Sequence, residues 1–124
     1  MNVVDSCGWL EYFANGENAS FFAPIIEDEA HLLVPNIVVF EVTRRLAHLR
    51  SKQAATDALV FMRKGSFVAL DAPGMFQAAL MAQRHKLAMA DAIIWQTAQA
   101  NDASVYTQDA DFEGLPGVVF HARP

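Results

Sequence analysis

A single cysteine, Cys7, stands in 124 residues, so no internal disulfide holds this chain and no Cys-based metal cage is available. The four histidines, His31, His48, His85 and His121, are scattered, which removes the His and Cys spacings of a zinc site. Long apolar runs are also missing: none approaches the roughly 18 residues of a membrane span, and the first residues lack the basic start and cleavage site of a secretory leader. The expectation is a cytoplasmic protein that makes no membrane contact. There is no low-complexity tract, internal repeat or linker, and 53% of residues are hydrophobic. One folded domain spanning residues 1–124 is therefore expected. Basic charge is scarce, with 9 Lys and Arg against 14 Asp and Glu and a net charge of -5. A uniformly basic nucleic-acid-binding surface is excluded.

What basic charge exists is concentrated. Arg44, Arg45, Arg50, Lys52, Arg63, Lys64, Arg84 and Lys86 face only Asp57 and Asp71 between positions 44 and 86, a local charge of +6, leaving -11 for the remainder. Such a separation suits a basic face beside an acidic pocket, although solvated helix faces produce the same pattern.

Short apolar strands alternate with helical periodicity. Asn2 to Val4, His31 to Val34, Ser66 to Leu70, "SVYT" (104–107) and "GVVFH" read as strands. Helices are predicted at Trp9, Leu10 and Phe13; in "NASFFAPIIEDEA", broken or restarted near Pro24; in "PNIVVFEVTRRLAHLR"; from Lys52 to Gly65; in "APGMFQAALMAQRHKL", with Met75, Ala79 and Ala82 inward; and from Ala90 to Asn101, apolar nearly all round. This alternation predicts an α/β fold, a three-layer α/β/α sandwich around a mostly parallel sheet.

Ligands of parallel sheets bind beyond the carboxyl ends of the strands. Asp5 directly follows the first strand, and Asp109 follows "SVYT" after one residue. Asp5 also suits a helix cap, and "TQDADF" suits a turn. Glu41 interrupts the apolar run "NIVVFEV", with ion pairing to Arg44 or Arg45 as its ordinary explanation. Asp91 opens the most apolar helix, where the helix dipole favours a carboxylate. Two charges about 4 Å apart repel by roughly 4 kcal/mol at an effective dielectric of 20. If the four cluster, protonation, separation or a hard divalent cation must relieve them, and Mg2+ or Mn2+ suits carboxylate oxygens.

The segments "NVVDSCGWLEYF", "VPNIVVFEVTRRL", "MADAIIWQTAQANDASVYTQDADF" and "GLPGVVF" together resemble the PIN-domain superfamily, in particular the VapC-type toxins of toxin–antitoxin pairs. The resemblance implies a Mg2+-dependent endoribonuclease, with Mn2+ able to substitute. Its acidic set falls on Asp5, Glu41, Asp91 and Asp109, and Asp5 and Asp91 are implied as direct metal ligands. Asp111 stays open between a peripheral ligand and a turn residue. Ser6 and Thr107 match flanking polar positions that orient carboxylates or water. Cys7 replaces a small hydroxyl residue and receives no role. An RNA substrate, a homodimer and a cognate antitoxin are implied, with DNA reached only through the antitoxin. Arg44, Arg45, Arg50 and Lys52 are the basic residues that we expect on the RNA backbone. Part of the aromatic group Trp9, Tyr12, Phe13, Phe21 and Phe22 would meet the antitoxin, the rest being core. Two other classes compete: a receiver-like phosphoacceptor domain, which lacks here an acidic pair after the first strand and a Lys beyond Lys86, and a PIN-like module that only binds protein.

Overall fold

Val3 and Val4 point to opposite faces of one strand, yet both are wholly buried, as a strand covered by helices on both sides requires. They belong to β1 (Asn2–Val4), the middle of a five-stranded sheet completed by β2 (Leu32–Pro35), β3 (Ser66–Val68), β4 (Ser104–Thr107) and β5 (Val118–Phe120). The structure is a computed structural model describing residues 1–124. Every strand pair is parallel and the order is β3-β2-β1-β4-β5. Six helices flank the sheet: α1 (Ser6–Phe13), α2 (Ala19–Ile26), α3 (Asn36–Leu49), α4 (Lys52–Met62), α5 (Ala72–His85) and α6 (Met89–Ala100). The expected α/β/α sandwich is present, and its sheet is parallel throughout.

This order matters for function. The chain steps outward from β1 to β2 and β3, then returns to the other side of β1 as β4 and β5. The reversal lies between β1 and β4, the crevice where open parallel sheets bind their ligands. A receiver-like domain would have the order 2-1-3-4-5, so the topology overturns that reading.

Several local expectations are corrected. Pro24 does not break α2: it lies inside the helix, and the carbonyl it leaves unbonded belongs to Ser20, which is exposed and open to water. Pro35 ends β2 with extended backbone (φ -62°, ψ 142°) and caps α3 instead of entering its first turn. The strand foreseen to Leu70 stops at Val68, and the helix foreseen to Gly65 stops at Met62. α5 turns a different face inward, because Met75 and Ala79 are exposed and Ala78 alone is buried. Its principal neighbour is α6, so one flank of α5 has no cover.

The core joins the sheet residues Val3, Val4, Leu33, Val34 and Val105 to Trp9, Phe22, Val38, Val42, Met62, Ile94 and Phe112. Gly8 lets α1 sit close to it. A Cβ there would lie 2.5 Å from Val4 Cγ1 and 2.7 Å from Phe22 Cε1, both within the packed interior. Gly8→Ala should therefore cost about 1–3 kcal/mol through overpacking. A lowered urea midpoint with an unchanged slope is the expected result, and an unaltered midpoint would show that α1 yields without strain.

Candidate metal centre

Asp5 is 2% exposed, an expensive place for a carboxylate unless its oxygens are bonded. Both are. Oδ1 accepts the Gly8 N–H at 2.8 Å and Oδ2 accepts the Thr107 hydroxyl at 2.6 Å. The first bond is the helix cap that the sequence allowed, so Asp5 caps α1 while it stands at the β1–β4 edge. The second follows from register: Val4 lies beside Tyr106 in the parallel pair β1 and β4, and the Asp5 N–H donates to the Tyr106 carbonyl at 3.3 Å. The residues after each strand therefore emerge side by side.

Thr107 is the link to Asp109. Its Oγ1 accepts the Asp109 N–H at 2.9 Å while donating to Asp5. Asp109 Oδ1 accepts the Asp111 N–H at 2.9 Å and closes a short 3-10 turn over Ala110–Phe112. The turn reading of "TQDADF" thus holds as well, with buried Phe112 anchoring it. Asp91 lies in the first turn of α6 and is half-buried. Single ligand atoms from Asp91, Asp109 and Asp111 lie within 4.8 Å of one another, as do those from Asp5, Cys7 and Asp109. Asp109 is common to both groups. Exposed Asp111 therefore joins the cluster instead of standing apart from it.

Glu41 sits on the rim. Its Oε1 accepts the Ser6 hydroxyl at 2.5 Å, and its charge acts on Asp91. Pairing with Arg44 or Arg45 does not occur, because the chain's ion pair is His31–Asp28. Ser6 and Thr107 each hold a carboxylate. Cys7 lies beside Asp5 and Asp109, and burial, followed by the Asp5 charge, pushes its thiol up to about 11. It is a neutral neighbour, not a thiolate.

The electrostatics reveal the strain. Burial first, then the Asp109 charge, raises the Asp5 carboxyl to about 6, although Thr107 and Gly8 pull the other way. Burial, then Asp109, Asp5, Glu41 and Asp111, raises Asp91 to about 7. All-oxygen donors in a negatively charged cleft fit a hard divalent cation. The carboxylate oxygens of Asp91, Asp109 and Asp111, within 4.8 Å of one another, have the spacing such an ion requires.

A groove of about 1120 Å³ opens beside Cys7 and runs along α1, α3 and α4, lined by Leu10, Phe13, Leu49 and Phe61 among others. Arg45 and Arg50 line it, whereas Arg44 and Lys52 do not. Arg63 and Lys64 close α4 and Arg84 and Lys86 close α5, so the basic segment does not form one face. Of the five early aromatics, Trp9 and Phe22 are core, Tyr12 and Phe21 are half-buried, and Phe13 lines the groove. Sequence reading missed Arg123, which also lines the groove, and Asn18, a buried amide bonded to Gln108. Neither stands in a local pattern that would have marked it.

These shifts set a pH dependence. An unfolded Asp releases its proton near 3.8, and folded Asp5 and Asp91 hold theirs to about 6 and 7. The folded state binds more protons in between, so stability falls as pH rises through that window. Thermal unfolding in EDTA should give a lower Tm at pH 8 than at pH 5, and Asp91→Asn should flatten the decline by several degrees, about 3–8 °C. A profile identical in wild type and variant would sink the clustering.

The model of the PIN domain family matches residues 3–118. No curated protein matches by sequence. Among solved structures, a toxin–antitoxin complex from Klebsiella pneumoniae is similar with a TM-score of 0.77 and 23% identity, covering 96% of each chain. VapC20 of Mycobacterium tuberculosis, a sarcin-ricin loop cleaving toxin, gives 0.79 and 17% identity over 95% of this chain and 97% of its own. VapBC2 of Rickettsia felis, bound to a DNA fragment from its promoter, gives 0.72 and 13% over 98% and 97%. These likenesses extend the fold match along almost the whole chain. With the family model spanning nearly every element and the carboxylates gathered at the β1–β4 edge, the chain belongs to the PIN domain family.

Proposed function

We propose that this protein is a metal-dependent endoribonuclease, acting as one domain and as the VapC-type toxin of a toxin–antitoxin pair. The observation that carries the reading is the convergence of Asp5, Asp91 and Asp109, with Glu41 at the rim, on the crevice between β1 and β4. Like charges gathered at one edge are costly in a domain stable by only about 5–15 kcal/mol. The toxin–antitoxin structures named above share the fold and support the biological role.

Asp5 and Asp91 are the direct ligands in this reading, Asp109 and Glu41 complete the acidic set, and Asp111 is peripheral. Mg2+, or Mn2+ in its place, held by these carboxylates would acidify a water and offset charge on the phosphate for an in-line displacement. Ser6 fixes the Glu41 carboxylate and Thr107 fixes Asp5, so neither acid must be ordered when substrate arrives. Hydrolysis leaves a 5'-phosphate and a 3'-hydroxyl, and no side chain becomes a covalent nucleophile. Arg45 and Arg50 carry the RNA backbone along the groove, with Arg44 and Lys52 extending that path beyond it.

Two protein partners follow. The groove has an apolar floor and reaches Cys7, the neighbour of Asp5 and Asp109, which suits an antitoxin segment that blocks the site; DNA is met only through that antitoxin. A second copy of this chain covers the opposite apolar face. Phe40 is 59% exposed, Phe76 60% and Met75 44%, and Phe40 and Met75 share one hollow with Ile37 and Leu70. The protein works in the cytoplasm, and no helix is long and apolar enough to cross a membrane.

Asp5→Asn or Asp91→Asn should cut Mg2+-dependent cleavage of total RNA about a hundredfold or more while the chain stays folded by circular dichroism. Undiminished cleavage by either variant would refute the metal assignment, and a wild type with no cleavage in Mg2+ or Mn2+ would favour the purely protein-binding module. Millimolar Mn2+ should raise the wild-type Tm, since a ligand of the native state stabilises it, and leave that of Asp91→Asn nearly unmoved. For the partner face, light scattering should give the mass of two chains for wild type and of one for Phe40→Asp.

A further inference from the structure

We propose that Arg123 is the residue that grips the RNA phosphate at the mouth of the carboxylate cluster; this rests on the ribonuclease reading above. The segment after β5 is tied down at three points. The His121 N–H donates to the Thr107 carbonyl at 2.9 Å, its ring stacks on Phe21 with centroids 4.6 Å apart, and Asn18 Nδ2 donates to the Ala122 carbonyl at 3.2 Å. The same Asn18 amide donates to Gln108 Oε1 at 2.9 Å. With Asn18 5% and Gln108 7% exposed, this is a buried polar knot joining the start of α2, the loop leaving β4 and the closing residues. Thr107, the anchor for His121, is also the residue that bonds Asp5.

The knot holds the chain as far as Ala122, one residue before the exposed Arg123. Arg123 lines the groove together with Cys7 and Gln108, and the Cys7 sulfur lies within 4.8 Å of carboxylate oxygens of Asp5 and Asp109. Yet Arg123 forms no ion pair with a carboxylate, so its guanidinium fork is unspent. The charge balance gives that fork a use. A divalent cation offsets only part of the charge on the four acids and the peripheral Asp111, and an incoming phosphodiester adds negative charge. A guanidinium meets phosphate oxygens bidentately. It cannot assist the metal itself, because two cations repel. The fork therefore serves the substrate, and the strap that carries it serves as its positioning device.

Opposite signs for metal and RNA make this testable. In Arg123→Gln, cleavage of total RNA in Mn2+ should fall about ten- to a hundredfold, the worth of a charge-assisted hydrogen bond. Binding of a short mixed-sequence single-stranded RNA in Ca2+, read by anisotropy across a KCl series, should show a log–log salt slope shallower by about 0.7, one phosphate contact. Mn2+ affinity by calorimetry should be unchanged or tighter. Arg123→Lys should recover part of the cleavage, and Asn18→Ala, which loosens the strap, should lose it in the same direction. Unchanged cleavage and salt slope in Arg123→Gln alongside an active wild type would overturn this inference alone. Weakened Mn2+ binding in that variant would reassign Arg123 to support of the carboxylates. A wild type that neither binds nor cuts RNA would overturn the ribonuclease reading and this inference with it.

Discussion

Thr107 donates to buried Asp5 and receives from the Asp109 backbone, and the organisation of the acidic centre depends on that one hydroxyl. It exists because β1 and β4 are adjacent and parallel, so that Asp5 and Thr107 leave the sheet together. Without the bond, Asp5 would keep only the Gly8 N–H to offset its burial, and a half-satisfied buried carboxylate is costly. The same bond orders the backbone at Asp109, the carboxylate shared by both groups of potential ligands. Geometry and electrostatics are thus set by the same residue.

The centre is held by short local devices and opposed by its own charge. Gly8 lets α1 approach β1 closely enough to cap on Asp5, Phe112 pins the turn that aims Asp109 and Asp111, and Ser6 restrains Glu41. Against these stand the burial of Asp5 and Asp91 and, after it, the repulsion among the acids, which together raise both carboxyls. The fold holds the repelling groups in place because the parallel sheet beneath them is buried on both faces and does not yield. The cluster is least stable when its carboxylates are deprotonated, and the charge that would attract a cation is the same charge that costs the fold.

Much of this was legible in the residues. The alternation of short apolar strands and longer helices led to the α/β/α sandwich, because parallel strands buried on both faces carry no polar alternation. Asp5 and Asp109 were legible as strand-end acids, and Glu41 and Asp91 as carboxylates out of place in apolar segments. For the two strand-end acids the ordinary role was also correct, since Asp5 does cap α1 and Asp109 does close a turn, whereas the ordinary pairing of Glu41 with Arg44 or Arg45 is not formed. Where reading failed, the missing information was tertiary. Met75 was assigned inward from its periodicity, but α5 packs against α6 at one side of the sandwich, so its apolar positions outnumber the surfaces that cover them.

The sequence by itself determined which elements form, since hydrophobic period, caps and glycine spacing are properties of neighbouring residues, and it determined which acids lacked a surface explanation. Only the tertiary structure decided their company. Strand order placed β4 next to β1, which joined residues a hundred positions apart through Thr107 and Asp5, divided the basic segment so that Arg45 and Arg50 alone of the four expected reach the groove, and brought in Arg123 from beyond the last strand. Strand order is fixed by how whole helices cover the sheet, a collective matter of packing and crossover geometry, and no local stretch of sequence carries it.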